Sequence, residues 1–344
     1  MFIAYFKKII IYGKLAQRKP RVLWRVVIST LKRRVFGQKP LRNVEIQVTP
    51  LCNSQCTMCF ASRLTCIERD ILSSAEIGSC WRTALKMGAV CAVITGGEPF
   101  LRSDLFEIIA ALQPVRTIIG LLTNCLLVKE DDVRKLKIAG VDYLQVSLDG
   151  LSAAENDRIR GVAGHFEQVM RVIAWAKNYQ LPTSISYTIT HKNIARLTDI
   201  CRFAEENDLL INPAPAVPVG NWQDNSEILL NDADWQTLSA LIVQYPSMRL
   251  CFSLNYEGRS QCPAGREKFC LSPYGDVMGC SLNHISFGNI RDNPLPAIWR
   301  TMNAFPYFLS KYEYCRPAGE KSYIENVTKK INSRSQSPVL YMDL

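Results

Sequence analysis

Six short runs of β-branched and apolar residues alternate with amphipathic stretches. That alternation limits the chain to a few α/β architectures. The strand-like runs fall at 44–49, 90–95, 116–122, 142–148, 183–189 and 209–213, most beginning about 26 residues apart. Helical runs fill the gaps: Ser74–Lys86, Leu105–Leu112, Glu130–Ala139 and Phe166–Asn178. The run Val90–Thr95 reads VCAVIT and is apolar on both faces, as a parallel strand covered by helices must be. Six strand–helix units predict a (β/α) barrel or a doubly wound sheet, and six is short of a full eightfold barrel.

Directly after the first strand stands Cys52-Asn-Ser-Gln-Cys56-Thr-Met-Cys59. Three thiolates on one short loop can hold three irons of a [4Fe–4S] cube, which leaves the fourth iron without a protein ligand. A zinc loop is the competing reading. Zinc sites usually pair one C-x2-C with a second such pair or with two histidines, and no such partner pair occurs here.

In a parallel architecture ligands sit at the carboxyl ends of the strands. Those ends carry Thr95-Gly96-Gly97-Glu98-Pro99, Thr123-Asn124-Cys125, Ser147-Leu148-Asp149-Gly150 followed by Asn156–Gly161, and Thr188. The glycine pair allows close backbone approach to a ligand, and Glu98 offers an acceptor for an ammonium group.

The cysteine spacing and the ordered strand ends together resemble the radical S-adenosylmethionine (SAM) superfamily. The resemblance implies a partial (β/α)6 TIM barrel over residues 43–213. It also implies a [4Fe–4S] cluster on Cys52, Cys56 and Cys59 whose open iron is chelated by the amino and carboxylate groups of SAM. Reductive cleavage of SAM would then give methionine and a 5′-deoxyadenosyl radical. Gly96, Gly97, Glu98 and Pro99 correspond to the family's GGEP motif, which binds the methionine amine. Thr123 and Asn124 match its TNG-type strand end, with Cys125 where glycine is usual. Ser147 and Asp149 match its SLDG pattern, Arg160 the segment that completes this end of the barrel, and Thr188 a position bordering the adenosyl group. Relatives often carry an aromatic residue before the third cysteine. Here it is Met58, whose backbone can still meet the adenine, and Phe60 follows to cover the cluster.

After 213 the alternation stops in a Pro/Gly-rich stretch, and residues 214–250 read as a linker with one helix near 233–244. Residues 251–320 carry Cys262, Cys270, Cys280 and Cys315, with Cys251 competing for a place, and Ser272-Pro-Tyr-Gly275 predicts a type I turn joining a hairpin. This resembles the SPASM/twitch extension of radical SAM enzymes, which binds auxiliary Fe–S clusters. No later C-x2-C-x5-C-x3-C run follows, so one auxiliary cluster is expected. The same thiolates would also suit zinc. Residues 321–344 read as a tail.

Charge is concentrated at the start of the chain. Residues 1–44 hold 12 of the 41 Lys and Arg and no carboxylate; the other 300 residues hold 29 basic and 31 acidic groups. The body is therefore nearly neutral, which argues against a nucleic-acid enzyme despite the net charge of +10. The basic arm, 1–42, reads as two short helices broken at Pro20. It is either an interfacial element resting on anionic lipid or an extension packed on the barrel with its charges solvated. No run is long enough to span a bilayer. Thirteen cysteines without a cleavable leader pattern point to a reducing cytoplasm.

Of the remaining cysteines, Cys80, Cys91 and Cys201 read as small core hydrophobes. Cys125, at a strand end facing the site, reads first as a core or loop cysteine, with a hydrogen-atom donor as its alternative. The function implied is hydrogen abstraction from an unidentified substrate in a biosynthetic pathway: a small molecule, a sugar or a lipid-linked precursor. Electrons would come from a flavodoxin or ferredoxin. Peptide modification is the second enzymatic reading. A non-catalytic Fe–S electron carrier or a zinc-binding interaction protein are the readings from other classes.

Overall fold

A computed structural model describes residues 18–64, 68–250, 261–310, 312–334 and 337–344. The first half of the basic arm, Cys66 and Cys251 lie outside the described residues. Strands β1 (Asn43–Gln47), β2 (Cys91–Thr95), β3 (Ile118–Thr123), β4 (Tyr143–Ser147), β5 (Thr183–Ile189) and β6 (Leu210–Pro215) are parallel neighbours in chain order. Helices α1 (Pro20–Phe36), α2 (Ser74–Lys86), α3 (Leu105–Ala111), α4 (Glu130–Ile138), α5 (Ala153–Arg160), α6 (His165–Asn178), α7 (Leu197–Glu206), α8 (Asp232–Gln244) and α9 (Leu295–Ala304) surround them. The α/β barrel-type core is therefore as expected, with strand and helix bounds within two or three residues of the sequence reading.

Local chemistry explains the boundaries. Ser73 and Glu76 close a capping box at the start of α2, and Asn231 and Asp234 do the same for α8. Gly161, at φ 69°, ends α5 in the left-handed conformation that only glycine adopts at no steric cost. Alternate strand residues such as Ala92 and Ile94, Ile119 and Leu121, and Leu144 and Val146 are wholly buried beneath the helices.

The C-terminal part does not form a sheet of its own. Strand β7 (Lys268–Leu271) pairs in parallel with β1, on the side opposite β2. It continues through antiparallel β8 (Asp276–Cys280) and β9 (Asn283–Asn289) to β10 (Val339–Leu340). Among the described residues this makes one ten-stranded sheet with β6 and β10 at its edges, so the barrel is open. The expected Ser272–Gly275 turn joins β7 to β8: Gly275 N donates to Ser272 O at 3.1 Å. Stretch 321–344, read as a tail, instead folds back through helical turns that bury Tyr323, Val327 and Ile331 and supplies β10.

Candidate functional site

The cysteine loop leaves the carboxyl end of β1 and is clamped from two sides. From the end of α5, Ile159 O accepts from Thr57 N at 3.0 Å and Arg160 O accepts from Ser54 Oγ at 2.8 Å. From the stretch read as a linker, Asn221 donates its backbone N–H to Cys59 O and its side chain to Cys56 O, both at 2.9 Å. Gly220 makes this approach possible: at φ 62°, a Cβ there would stand 2.1 Å from Cys59 O. Nothing in its sequence context marked Asn221 as part of the site, because its role depends on which loop the fold brings alongside it.

Donors converge on the sulfurs. Asn124 Nδ2 lies 3.7 Å from Cys52 Sγ and donates to Asn53 Oδ1 at 2.8 Å. Arg160 Nη1 lies 3.7 Å from Cys56 Sγ, and Ser54 Oγ lies 3.3 Å from the same sulfur. Burial pushes the Cys52 and Cys59 thiols above their ordinary range, and the neighbouring sulfurs push both further up. Bound cations remove that penalty, so the donor set fits a thiolate-ligated metal group.

Arg160 is fixed by an ion pair with Asp149. Asp149 is fixed in turn, accepting from Thr188 N at 2.7 Å while its own N–H donates to Asn156 Oδ1 at 3.0 Å. Asn156 Nδ2 meets His165 Nδ1 at 2.8 Å, and burial pulls the His165 pKa down to about 4, so its ring is neutral at ordinary pH. Thus β4, β5, α5 and α6 meet in one buried polar chain that ends on a cluster-loop sulfur. The expected residues Asn124, Ser147, Asp149, Arg160 and Thr188 share one end of the sheet with the cysteine loop, as do Met58 and Phe60 within it. Asn53, His165 and Asn221 were missed, and Asn156, which opens the expected Asn156–Gly161 segment, holds Asp149.

Three of the expected groups are enclosed by protein atoms. Glu98 does not face outward. It is 1% exposed, with Oε1 accepting from Thr123 Oγ1 at 2.8 Å and Phe100 N at 3.1 Å, and Oε2 accepting from Asn124 N at 2.7 Å. It staples the end of β2 to the end of β3, and burial raises its pKa to about 7. Gly96 and Gly97 lie tight against the segment that leads into the cysteine loop: added Cβ atoms would stand 2.6 Å from Thr49 O and 2.0 Å from Leu51 O. Pro99, itself buried, opens a 3-10 turn after Glu98. Cys125 does not face the site. It is fully buried, its thiol donates to Thr123 O, and it holds φ 70° where glycine would be unstrained.

The second cysteine group lies on β7 and β8 and the segments beside them. Cys280 is within electrostatic reach of both Cys270 and Cys262, and burial drives the Cys270 and Cys280 thiols well up. Cys262 N donates to Tyr312 O at 3.0 Å, which brings the Cys315 segment alongside. Tyr323 is buried next to Cys280 and Cys262. Among the described residues no three His, Cys, Asp or Glu side chains converge as the ligands of a single ion would.

Residues 46–204 match the Radical SAM superfamily model, and residues 262–317 match the SPASM iron–sulfur cluster-binding domain. The AdoMet-dependent heme synthase of Nitratidesulfovibrio vulgaris is 27% identical over 316 residues, covering 83% of this chain and 86% of that protein. The PqqA peptide cyclase of Rhizobium meliloti is 24% identical, covering 80% and 78%. Among solved structures, Streptococcus suis SuiB bound to S-adenosylmethionine matches with a TM-score of 0.60 at 19% identity, over 88% of this chain and 77% of that one, which is a likeness of fold. The SPASM match begins at Cys262 and takes in Cys270, Cys280 and Cys315. This chain belongs to the radical SAM superfamily, as a modifying enzyme with a SPASM domain.

Proposed function

We propose that Cys52, Cys56 and Cys59 ligate the SAM-cleaving [4Fe–4S] cluster, and that Cys262, Cys270, Cys280 and Cys315 ligate one auxiliary cluster. When bound, the first cluster and SAM would supply a 5′-deoxyadenosyl radical to take a hydrogen atom from substrate, and the second would accept the substrate-radical electron or bind or orient the substrate. Around the first cluster Asn124 and Arg160 orient the thiolates, and Asp149 holds Arg160. Ser147, Thr188, Met58 and Phe60 bound the pocket for SAM. Glu98 fixes the backbone of Asn124 from below. The observation that carries this reading is the gathering of five strand ends and three thiols at one end of the open barrel.

The substrate is a biosynthetic precursor that loses a hydrogen atom. A heme synthase among the relatives favours a small molecule. A peptide cyclase among the relatives and the peptide-bound form of SuiB favour a peptide as the second reading. A flavodoxin or ferredoxin is the proposed reductant, and a peripheral membrane contact through residues 1–42 is the remaining partner. Among the described residues no helix is long and apolar enough to cross a membrane.

The test is anaerobic reconstitution with iron and sulfide, followed by dithionite and SAM. Absence of 5′-deoxyadenosine would sink the proposal. A colourless, zinc-loaded protein would do so as well, because Fe–S thiolate sites absorb near ~400 nm and d10 zinc does not. Deuterium transfer from a labelled candidate into 5′-deoxyadenosine then separates a small-molecule substrate from a peptide.

A further inference from the structure

Helix α1 lies across the end of the barrel opposite the cysteine loop. Lys19, just ahead of it, donates to Thr117 O at 2.6 Å and pairs with Asp142, and Arg25 donates to Arg116 O at 2.8 Å. These partners lead into β3 and β4. Buried Ser29 packs beside Gly88, ahead of β2: a Cβ on Gly88 would stand 3.3 Å from Ser29 Oγ. Val22 and Ser29 thus mark the face turned to the barrel.

On the opposite face Trp24, Val27, Leu31 and Val35 follow one another at three- and four-residue spacing. That spacing aligns side chains in one stripe. Trp24 is 65% exposed, Leu31 53% and Val35 65%, and Phe36 at the helix end is exposed too. Arg21 and Lys32 border one edge of the stripe and Arg34 borders the other. Lys32 also edges a cavity of about 310 Å³ shared with Lys39, Lys86, Arg300 and Trp299, with no carboxylate in its lining. Burial and the guanidinium groups of Arg266 and Arg33 pull Lys39 below its ordinary pKa, so the cations there crowd one another.

We propose that the outward face of α1 is a docking surface for an anionic phospholipid bilayer, with the apolar stripe entering the interface and the flanking cations meeting lipid phosphates. An exposed tryptophan and leucine between rows of basic residues fit a surface that is apolar inside and anionic at its boundary. A second copy of this chain would bring the same cations face to face. Nucleic acid would meet an apolar stripe between its phosphate contacts. This deepens the membrane contact proposed above and is independent of the radical chemistry.

The geometry also sets an orientation. Strands of about six residues separate α1 from the cysteine loop, roughly 20 Å at strand rise. A docked enzyme therefore opens its site away from the bilayer. The membrane acts as a tether, and substrate arrives from the aqueous side; a lipid-linked precursor in the same leaflet is disfavoured.

The full chain is floated with vesicles of phosphatidylcholine alone and of phosphatidylcholine mixed with phosphatidylglycerol. Binding is expected only to the mixed vesicles, weakened by salt. Lys32→Ala and Arg34→Ala should each weaken it about fivefold. Trp24→Ser with Leu31→Ser should weaken it about tenfold or more. Val243→Ser, at an exposed apolar site on α8, should bind as the parent does. On vesicles, hydrogen exchange should slow at 20–36 and 113–117 and stay unchanged at 52–59. No binding at low salt, or parental binding by both sets of α1 variants, overturns the proposal. Protection at 52–59 overturns the orientation. Dimers that Leu31→Ser converts to monomers, without vesicle binding, assign the face to a second copy and also overturn it. Formation of 5′-deoxyadenosine by each variant reads the catalytic proposal separately.

Discussion

Replacing Glu98 with Gln tests whether its carboxyl is a scaffold staple or a cofactor ligand. In the cluster-free protein its pKa stands near 7 because burial disfavours the charged form. The unfolded chain has it near ~4.5, a typical glutamate value. The folded state therefore holds this proton more tightly. The stability it contributes is fully present below about pH 4.5 and is lost as pH rises through 7, by about 3 kcal/mol for a shift of about 2.5 units. Oε1 accepts from Thr123 Oγ1 and Phe100 N and Oε2 accepts from Asn124 N; in the neutral acid the Thr123 hydroxyl turns to accept the carboxyl O–H, while Phe100 N and Asn124 N keep their acceptors. Glutamine matches all but one, because an amide nitrogen cannot accept from Phe100 N. Glu98→Gln should thus cost about 1–3 kcal/mol near pH 5, the usual penalty for one unpaired buried donor. That deficit should shrink to parity or reverse by pH 8, because the variant has no carboxyl to ionise. Urea unfolding of both proteins across this range gives the difference curve directly, with other titrating groups cancelling. Parallel curves with equal stability, combined with a loss of SAM affinity, would refute the staple and restore Glu98 as a direct ligand of the methionine amine.

Ala at Cys52, Cys56 or Cys59 should abolish 5′-deoxyadenosine formation, whereas Cys270→Ala with Cys280→Ala should retain at least uncoupled cleavage; loss of cleavage and folding together in the second case would make the auxiliary site structural. Cys125→Gly should be about 1 kcal/mol more stable than Cys125→Ala, since both lose the buried thiol but only glycine relieves φ 70°; hydrogen transfer to substrate should survive in both, and its loss would restore the donor role. Gly220→Ala should leave the barrel folded by circular dichroism but lower iron content after reconstitution, because its Cβ would stand 2.1 Å from Cys59 O; parental iron content would contradict the clamp. His165 and His284 are held near pKa 4 by burial, below the usual histidine value. Their stabilisation is complete above pH 6.5 and lost as pH falls towards 4, so His165→Asn should show a shallower acid limb in thermal unfolding.

The parallel core was legible because runs such as Cys91–Thr95 and Ile118–Thr123 are apolar on both faces and the gaps are long enough for helices. The cysteine loop and the polar strand ends were legible because their order along the chain maps onto one end of such a core. What escaped the sequence depends on partners distant in the chain. Gly96 and Gly97 announce that something approaches closely, but only the fold shows that Thr49 and Leu51 backbone does so. Glu98 reads as an outward acceptor until Thr123, Asn124 and Phe100 are seen to occupy both of its oxygens. Gly220 and Asn221 look like linker composition, yet they hold the cysteine loop, so 214–250 is part of the site. Strand β7 carries no mark that it will pair with β1, and that pairing sets Cys270 beside the strand that leads into the first cysteine loop. The same limit applied to α1. A helical wheel separates Arg21, Arg25 and Lys32 from the apolar residues without saying which side the barrel covers. Since Val22 and Ser29 face the barrel, packing on it and offering an apolar stripe outward are not rival readings of this helix: one face does the first and leaves the other free for the second.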